Sequence, residues 1–89
     1  MQLLLYTRRG CHLCEAAEDL LAGLGADVTL VDVDADPAAR ARFGLRVPVL
    51  VAGGRTLLEG RFEAAGVARA LSEAEVEPAA GERVDQAGG

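Results

Sequence analysis

No lysine, asparagine, isoleucine or tryptophan occurs in these 89 residues. Aromatic side chains amount to Tyr6, Phe43 and Phe62, so any core must be built from Leu, Val and Ala, which fill most of the 51% hydrophobic share. Positive charge is scarce: nine basic residues, all Arg, stand against 14 acids for a net charge of −5. That balance repels phosphate backbones and anionic lipid, which argues against nucleic acid or a membrane surface as partner. No apolar run approaches the roughly 20 residues that cross a bilayer. Nor does the start resemble a secretion signal, so the cytoplasm is the expected location. Arg in place of Lys and Val in place of Ile read as the codon bias of a GC-rich, bacterial genome. Two cysteines three positions apart point to a reducing compartment, where such pairs are catalytic or metal-bound. A chain this short has volume for one core, hence one domain and one site.

What is present alternates short apolar runs with helical patterns, in the order βαβαββα. Leu3, Leu4, Leu5 and Tyr6 form a continuous apolar strand covered on both faces. From Cys11 the apolar residues Leu13, Ala16, Ala17, Leu20, Leu21 and Leu24 recur at helical spacing, and Gly23 or Gly25 closes that helix. Val28 to Val33 is β-branched and supplies a second strand, parallel to the first through the helix between them. Asp36 before Pro37 predicts the cap and first residue of a short helix ending at Phe43, with Gly44 as its stop. Gly53-Gly54 between Val49–Ala52 and Arg55–Glu59 predicts an antiparallel hairpin. A third helix is expected to carry Phe62, Ala65, Val67, Ala70 and Leu71. Residues 1–75 form the domain, and 76–89 read as a disordered tail with little apolar mass.

The chemistry lies in Cys11-His12-Leu13-Cys14, where the first strand hands over to the first helix. A nucleophilic sulfur must be a thiolate, yet a free thiol titrates near 8.5 and is only slightly ionised at neutral pH. The helix amino terminus offers unpaired amides and a partial positive charge, and Arg8 and Arg9 add cations nearby. This predicts a lowered value for Cys11, the attacking sulfur, and a protonated, deeper Cys14 as the resolving one. Side chains three apart on a helix lie about 5 to 6 Å apart, too far for a disulfide, so Cys11 is expected at the cap, where the chain is not yet helical.

Zinc is a competing reading, but it wants four ligands and the chain adds only His12 to its two cysteines, so such a site would need two chains. His12 is expected to be exposed and to tune the pair rather than to serve as base or ligand. Asp32, Asp34 and Asp36 alternate like the start of a calcium loop. Pro37 stands where that loop needs glycine, and the acids read instead as a strand end and a helix cap. Phe43 and Phe62 read as core.

Tyr6 and Thr7, then Cys11-His12-Leu13-Cys14 after the first strand, then Val47-Pro48 opening the third, together resemble the glutaredoxins, most of all short bacterial glutaredoxin-like proteins, over residues 2 to about 72. The resemblance implies a thioredoxin-like α/β fold, a four-stranded mixed sheet flanked by three helices. It also implies a cis Val47-Pro48 bond facing the cysteines, whose Val47 backbone groups can pair with an extended substrate, and contact between Arg8 and a glutathione carboxylate. Gly60 falls where glutaredoxins begin a glycine pair and an acid that hold glutathione, but Arg61, Phe62 and Glu63 follow it here. Arg46 replaces the usual Thr before Val47-Pro48, and His12-Leu13 replaces Pro-Tyr.

The expected function is therefore dithiol-disulfide exchange by an enzyme, with Cys11 and Cys14 catalytic. Arg8, Val47, Pro48 and Gly60 bind substrate, and Arg9, His12 and Arg46 modulate. Partners are a disulfide-bearing protein or glutathione, with a thioredoxin reductase as candidate electron donor. No cofactor is held tightly, glutathione serves at most as co-substrate, and a monomer is expected. The alternative is a binding module of the same fold without catalysis, or a dimer bridged by a metal or an iron-sulfur cluster.

Overall fold

The computed structural model describes residues 2–80, those from 75 to 80 by their backbone alone. Strand β1 (Leu3–Thr7) leads through α1 (His12–Gly23) to β2 (Val28–Asp32), a single turn of 3-10 helix (Val33–Ala35) and α2 (Pro37–Phe43). Then follow β3 (Val49–Ala52), β4 (Arg55–Glu59) and α3 (Ala64–Ala80). The sheet order is β2-β1-β3-β4, with β1 parallel to β2, antiparallel to β3, and β3 antiparallel to β4. This is the thioredoxin-like arrangement, a four-stranded mixed sheet with three helices.

Alternation along the central strands divides the core into two layers. Leu5 and Leu50 face α1 and α3 and pack with Ala17, Leu21, Phe62 and Val67. On the other face Val49 and Val51 join Val33, Ala39 and Phe43, with Tyr6 alongside. The Tyr6 and Phe43 rings meet in a tilted pair with centroids 4.4 Å apart.

Local chemistry sets the boundaries. The Asp36 carboxylate accepts from the amides of Ala38 and Ala39 at 3.1 and 3.4 Å, and Pro37 needs no amide partner in the first turn of α2. Gly44 ends α2 in ordinary right-handed geometry, and its requirement is space: a Cβ there would lie 2.5 Å from the Arg40 carbonyl oxygen. The β3–β4 turn takes φ of 59° at Gly53 and 79° at Gly54, which suits glycine.

Three expectations shift. The second strand ends at Asp32, because the Asp32 side chain accepts from the Asp34 amide at 2.9 Å and turns Val33–Ala35 into the 3-10 turn. Phe62 lies before α3 rather than within it, buried in the core from the connecting segment. Helix α3 continues to Ala80, so residues 76–80, expected in the tail, are helical, and the rest of that expectation, residues 81–89, lies outside the described residues. No helix among the described residues is long and apolar enough to cross a membrane.

Candidate active site

The carboxyl end of β1 gathers the chemistry. Beyond Thr7 the chain turns through Gly10 and enters α1 at Cys11, whose backbone is extended, with φ −99° and ψ 112°. Cys11 is the N-cap: its carbonyl accepts the first helical bond from the Glu15 amide at 3.0 Å, while its sulfur accepts from the Cys14 amide at 3.2 Å. The thiol thus occupies the place where a Ser or Asp oxygen would satisfy an orphan amide.

Both cysteines are free. Cys11 is half-buried and Cys14 is wholly buried, so a substrate meets the first sulfur before the second. Burial pushes the Cys14 thiol up from its ordinary range, and the hydrogen bond with Cys11 pushes the same way. The Thr7 hydroxyl and the Arg8 backbone, as hydrogen-bond partners of the same sulfur, pull in the opposite direction. Cys14 is therefore a protonated reserve beneath an accessible sulfur.

Strand register brings the third strand to the same place. Tyr6 pairs with Val49, so one step further Thr7 lies level with Pro48. The Val47-Pro48 bond is cis, and the Pro48 side chain is fully buried. The Gly60 amide donates to the Pro48 carbonyl at 2.9 Å, which fixes the exit of β4 beside the entry of β3. The cysteines follow the carboxyl end of β1, and Pro48 and Gly60 meet where β3, the antiparallel neighbour of β1, begins.

The cations are placed differently from one another. Arg8 reaches back to Asp34 as a fork, Nε to Oδ2 at 2.9 Å and Nη2 to Oδ1 at 3.0 Å, and its Nη1 donates to the Gly44 carbonyl at 3.0 Å. It ties β1 to the 3-10 turn and to the end of α2. The Asp34 hydrogen bond raises the Arg8 guanidinium further, and both cysteines lie within its electrostatic reach. Asp34 in turn is held below the usual carboxylate range, chiefly by that same hydrogen bond. Arg46 pairs with Glu59 at 3.4 Å, donates to the Arg42 carbonyl at 2.7 Å and lies over the Phe43 ring. Arg9 is exposed. His12 points outward, 98% exposed, with its Nδ1 3.7 Å from Glu15 on the next turn.

With Asp32 and Asp36 acting as caps and Asp34 bound to Arg8, each of the three alternating acids has a structural task. Among the described residues no cluster of three or more His, Cys, Asp and Glu side chains is placed to hold a metal ion.

Thr7, quoted in the motif without a role, and Glu18, which the motif did not mark, meet beside the cysteine helix. Thr7 is a buried polar side chain, and its hydroxyl donates to the Glu18 carboxylate at 3.3 Å. Glu18 follows Cys14 by four residues, one turn along the same face of α1. The spacing Cys14 to Glu18 could have drawn attention to it, but the partner strand residue could not be read from sequence.

Comparison with known proteins agrees with this fold. The family described as Glutaredoxin-like domain matches residues 2–72. An uncharacterized protein of Mycobacterium tuberculosis is 40% identical over 63 residues, 61% of this chain, and the match spans 65% of that relative, just under two thirds of its length. Among solved structures, a structural-genomics target protein from X. campestris is 38% identical with a TM-score of 0.72, covering 80% of this chain and 96% of its own. NrdH-redoxin from Escherichia coli, described as a glutaredoxin-like protein with a thioredoxin-like activity profile, is 30% identical with a TM-score of 0.60, covering 78% of this chain and 93% of its own.

Proposed function

Since this chain belongs to the family of glutaredoxin-like domains, we propose that it is a dithiol-disulfide oxidoreductase in which Cys11 attacks and Cys14 resolves. One observation carries the reading: an accessible sulfur caps a helix and accepts an amide, with a second, buried thiol three residues behind it. The Cys11 thiolate attacks one sulfur of a substrate disulfide and expels the other as a thiolate. Cys14 then attacks Cys11, releases the second substrate thiolate and leaves a Cys11–Cys14 disulfide. The substrate gains two electrons and the protein loses them, to be restored by an external dithiol such as a thioredoxin reductase supplies.

Protein disulfides suit this site better than glutathione. The guanidinium of Arg8, which by resemblance would hold a glutathione carboxylate, already forks onto Asp34 and a carbonyl. Arg46 is tied to Glu59, and the segment after Gly60 sends Phe62 into the core instead of offering a second glycine and an acid. By resemblance, a substrate in extended form pairs with the backbone of Val47 ahead of the cis proline, and Leu13 and Leu45 are exposed to receive its side chains. Exchange of this kind needs no tightly held cofactor and suits a reducing compartment such as the cytoplasm, where free dithiols persist. The thioredoxin-like activity profile attributed to NrdH-redoxin supports the same preference.

The test is turnover on two substrates, a disulfide-linked peptide and a peptide–glutathione mixed disulfide, with a regenerating dithiol. Reduction of the peptide disulfide that disappears in Cys11→Ser supports the reading. Full activity in Cys11→Ser overturns it, and a strong preference for the glutathione adduct overturns the substrate assignment.

A further inference from the structure

Turn chemistry does not account for Leu45. The Arg46 amide donates to the Phe43 carbonyl at 2.8 Å, which puts Leu45 at the outer corner of a tight turn, 101% exposed. Such corners suit Gly, Asn, Asp or Ser, and an apolar side chain there buries nothing. The turn is held to the candidate site. Arg8, three residues before Cys11, donates from Nη1 to the Gly44 carbonyl at 3.0 Å, and Val47, with its cis bond to Pro48, follows Arg46 directly.

Charge around this turn runs against that of the molecule. From Pro37 to Leu58 the chain carries four Arg and no acid, although its net charge is −5. Two of the four flank Leu45 in the chain, and one buried ring gathers them: the guanidinium carbons of Arg42 and Arg46 lie 4.9 and 5.5 Å from the Phe43 centroid. Arg46 also donates to the Arg42 carbonyl at 2.7 Å. Like charges gathered on one ring repel, and an anion close to both relieves that repulsion. Glu59 answers Arg46 at 3.4 Å, whereas Arg42 is exposed and has no ion pair among the described residues. Arg42 is thus the open cation beside an open leucine.

We infer that the Phe43–Arg46 turn is a docking surface for the substrate protein, and that the segment it receives is acidic, with an apolar residue to cover Leu45. The inference rests on the proposed dithiol exchange and deepens it by naming the class of segment around the substrate disulfide. Because Arg46 adjoins Val47, a strand that pairs with Val47 carries its next residues past the turn. Charge complementarity selects the acid, and the exposed Leu45 selects its apolar neighbour.

The test uses the full reduced chain, a regenerating dithiol and disulfide-linked peptides that differ only in having Glu, Gln or Lys on either side of the cysteine, each with Leu or Gly as the next residue. At low salt kcat/KM should be about three- to tenfold higher for the Glu peptide than for the Gln peptide, and lowest for the Lys peptide. That order is opposite to the one the net charge of −5 would select. The spread should shrink as salt rises from about 0.02 M to about 0.5 M. Arg42→Gln should reduce the Glu-to-Gln ratio, and Glu59→Gln, which releases Arg46, should widen it. Leu45→Ser, at a position with no packing to lose, should abolish the preference for Leu over Gly. Equal rates on the three charge types at low salt, a preference for Lys, or a Glu preference unchanged in both Arg42→Gln and Glu59→Gln overturns the docking surface. So does a rate on oxidised glutathione equal to that on the Glu peptide, since glutathione offers carboxylates without an apolar side chain. No turnover of any peptide instead refutes the dithiol exchange, and the surface with it.

Discussion

At the level of single residues, what separates the two sulfurs is depth and hydrogen bonding, not identity. Cys11 caps α1 and is open to a substrate, whereas burial holds Cys14 protonated. In Cys11→Ser the contribution of Cys11 disappears but burial, the larger cause, remains. Alkylation of Cys14 in that variant should be slow at neutral pH and rise about tenfold per pH unit to beyond the usual thiol range of about 8.5. Mass spectrometry across a pH series checks it, and rapid modification at pH 7 would contradict the assignment. The linkage has a definite sign. A thiol raised by folding contributes stability that is fully present below its unfolded value and is lost as pH rises through the folded one. The cysteine pair was readable from sequence because its spacing is local. The partners of Arg8 lie 26 and 36 residues away and that of Thr7 lies 11 away, so neither the fork onto Asp34 nor the contact with Glu18 follows from any local pattern.

At the level of elements, punctuation decided most boundaries. Asp36-Pro37 starts α2 and Gly53-Gly54 turns the hairpin, because each imposes a backbone or capping geometry that needs no distant neighbour. Asp36→Ala removes the acceptor for two amides and should cost about 1 kcal/mol, read from urea unfolding with an unchanged m value. A loss below a few tenths of a kcal/mol would show that solvent replaces the cap. Elements whose limits depend on tertiary partners were less legible. The 3-10 turn at Val33 follows from the Asp32 side chain folding back and from Val33 entering the core beside Phe43. Phe62 looked helical from its spacing to Ala65, yet the core claims it from the segment before α3.

At the level of the whole molecule, a thin sheet with a core on each face keeps the end of β1 fixed, and the site is only as ordered as that strand. Leu50 is wholly buried between α1 and α3, paired across the sheet with Leu5. Leu50→Ala should destabilise by about 2 to 5 kcal/mol, a large part of the total for so small a domain. A loss of less than about 1 kcal/mol in urea unfolding would mean that the core closes over the gap. The architecture was legible because strand, helix and turn signals agreed on one order. The cis Val47-Pro48 bond was legible only through family resemblance, since no local pattern in the sequence marks it.

The most direct measurement is capture of the covalent intermediate with a disulfide-linked peptide. Cys14→Ser should accumulate a stable mixed disulfide on Cys11, found by non-reducing mass spectrometry, while Cys11→Ser should form none and the unaltered chain should pass on to an internal disulfide. Capture on Cys14 instead of Cys11, or no adduct at all, would contradict the division of labour between the two sulfurs.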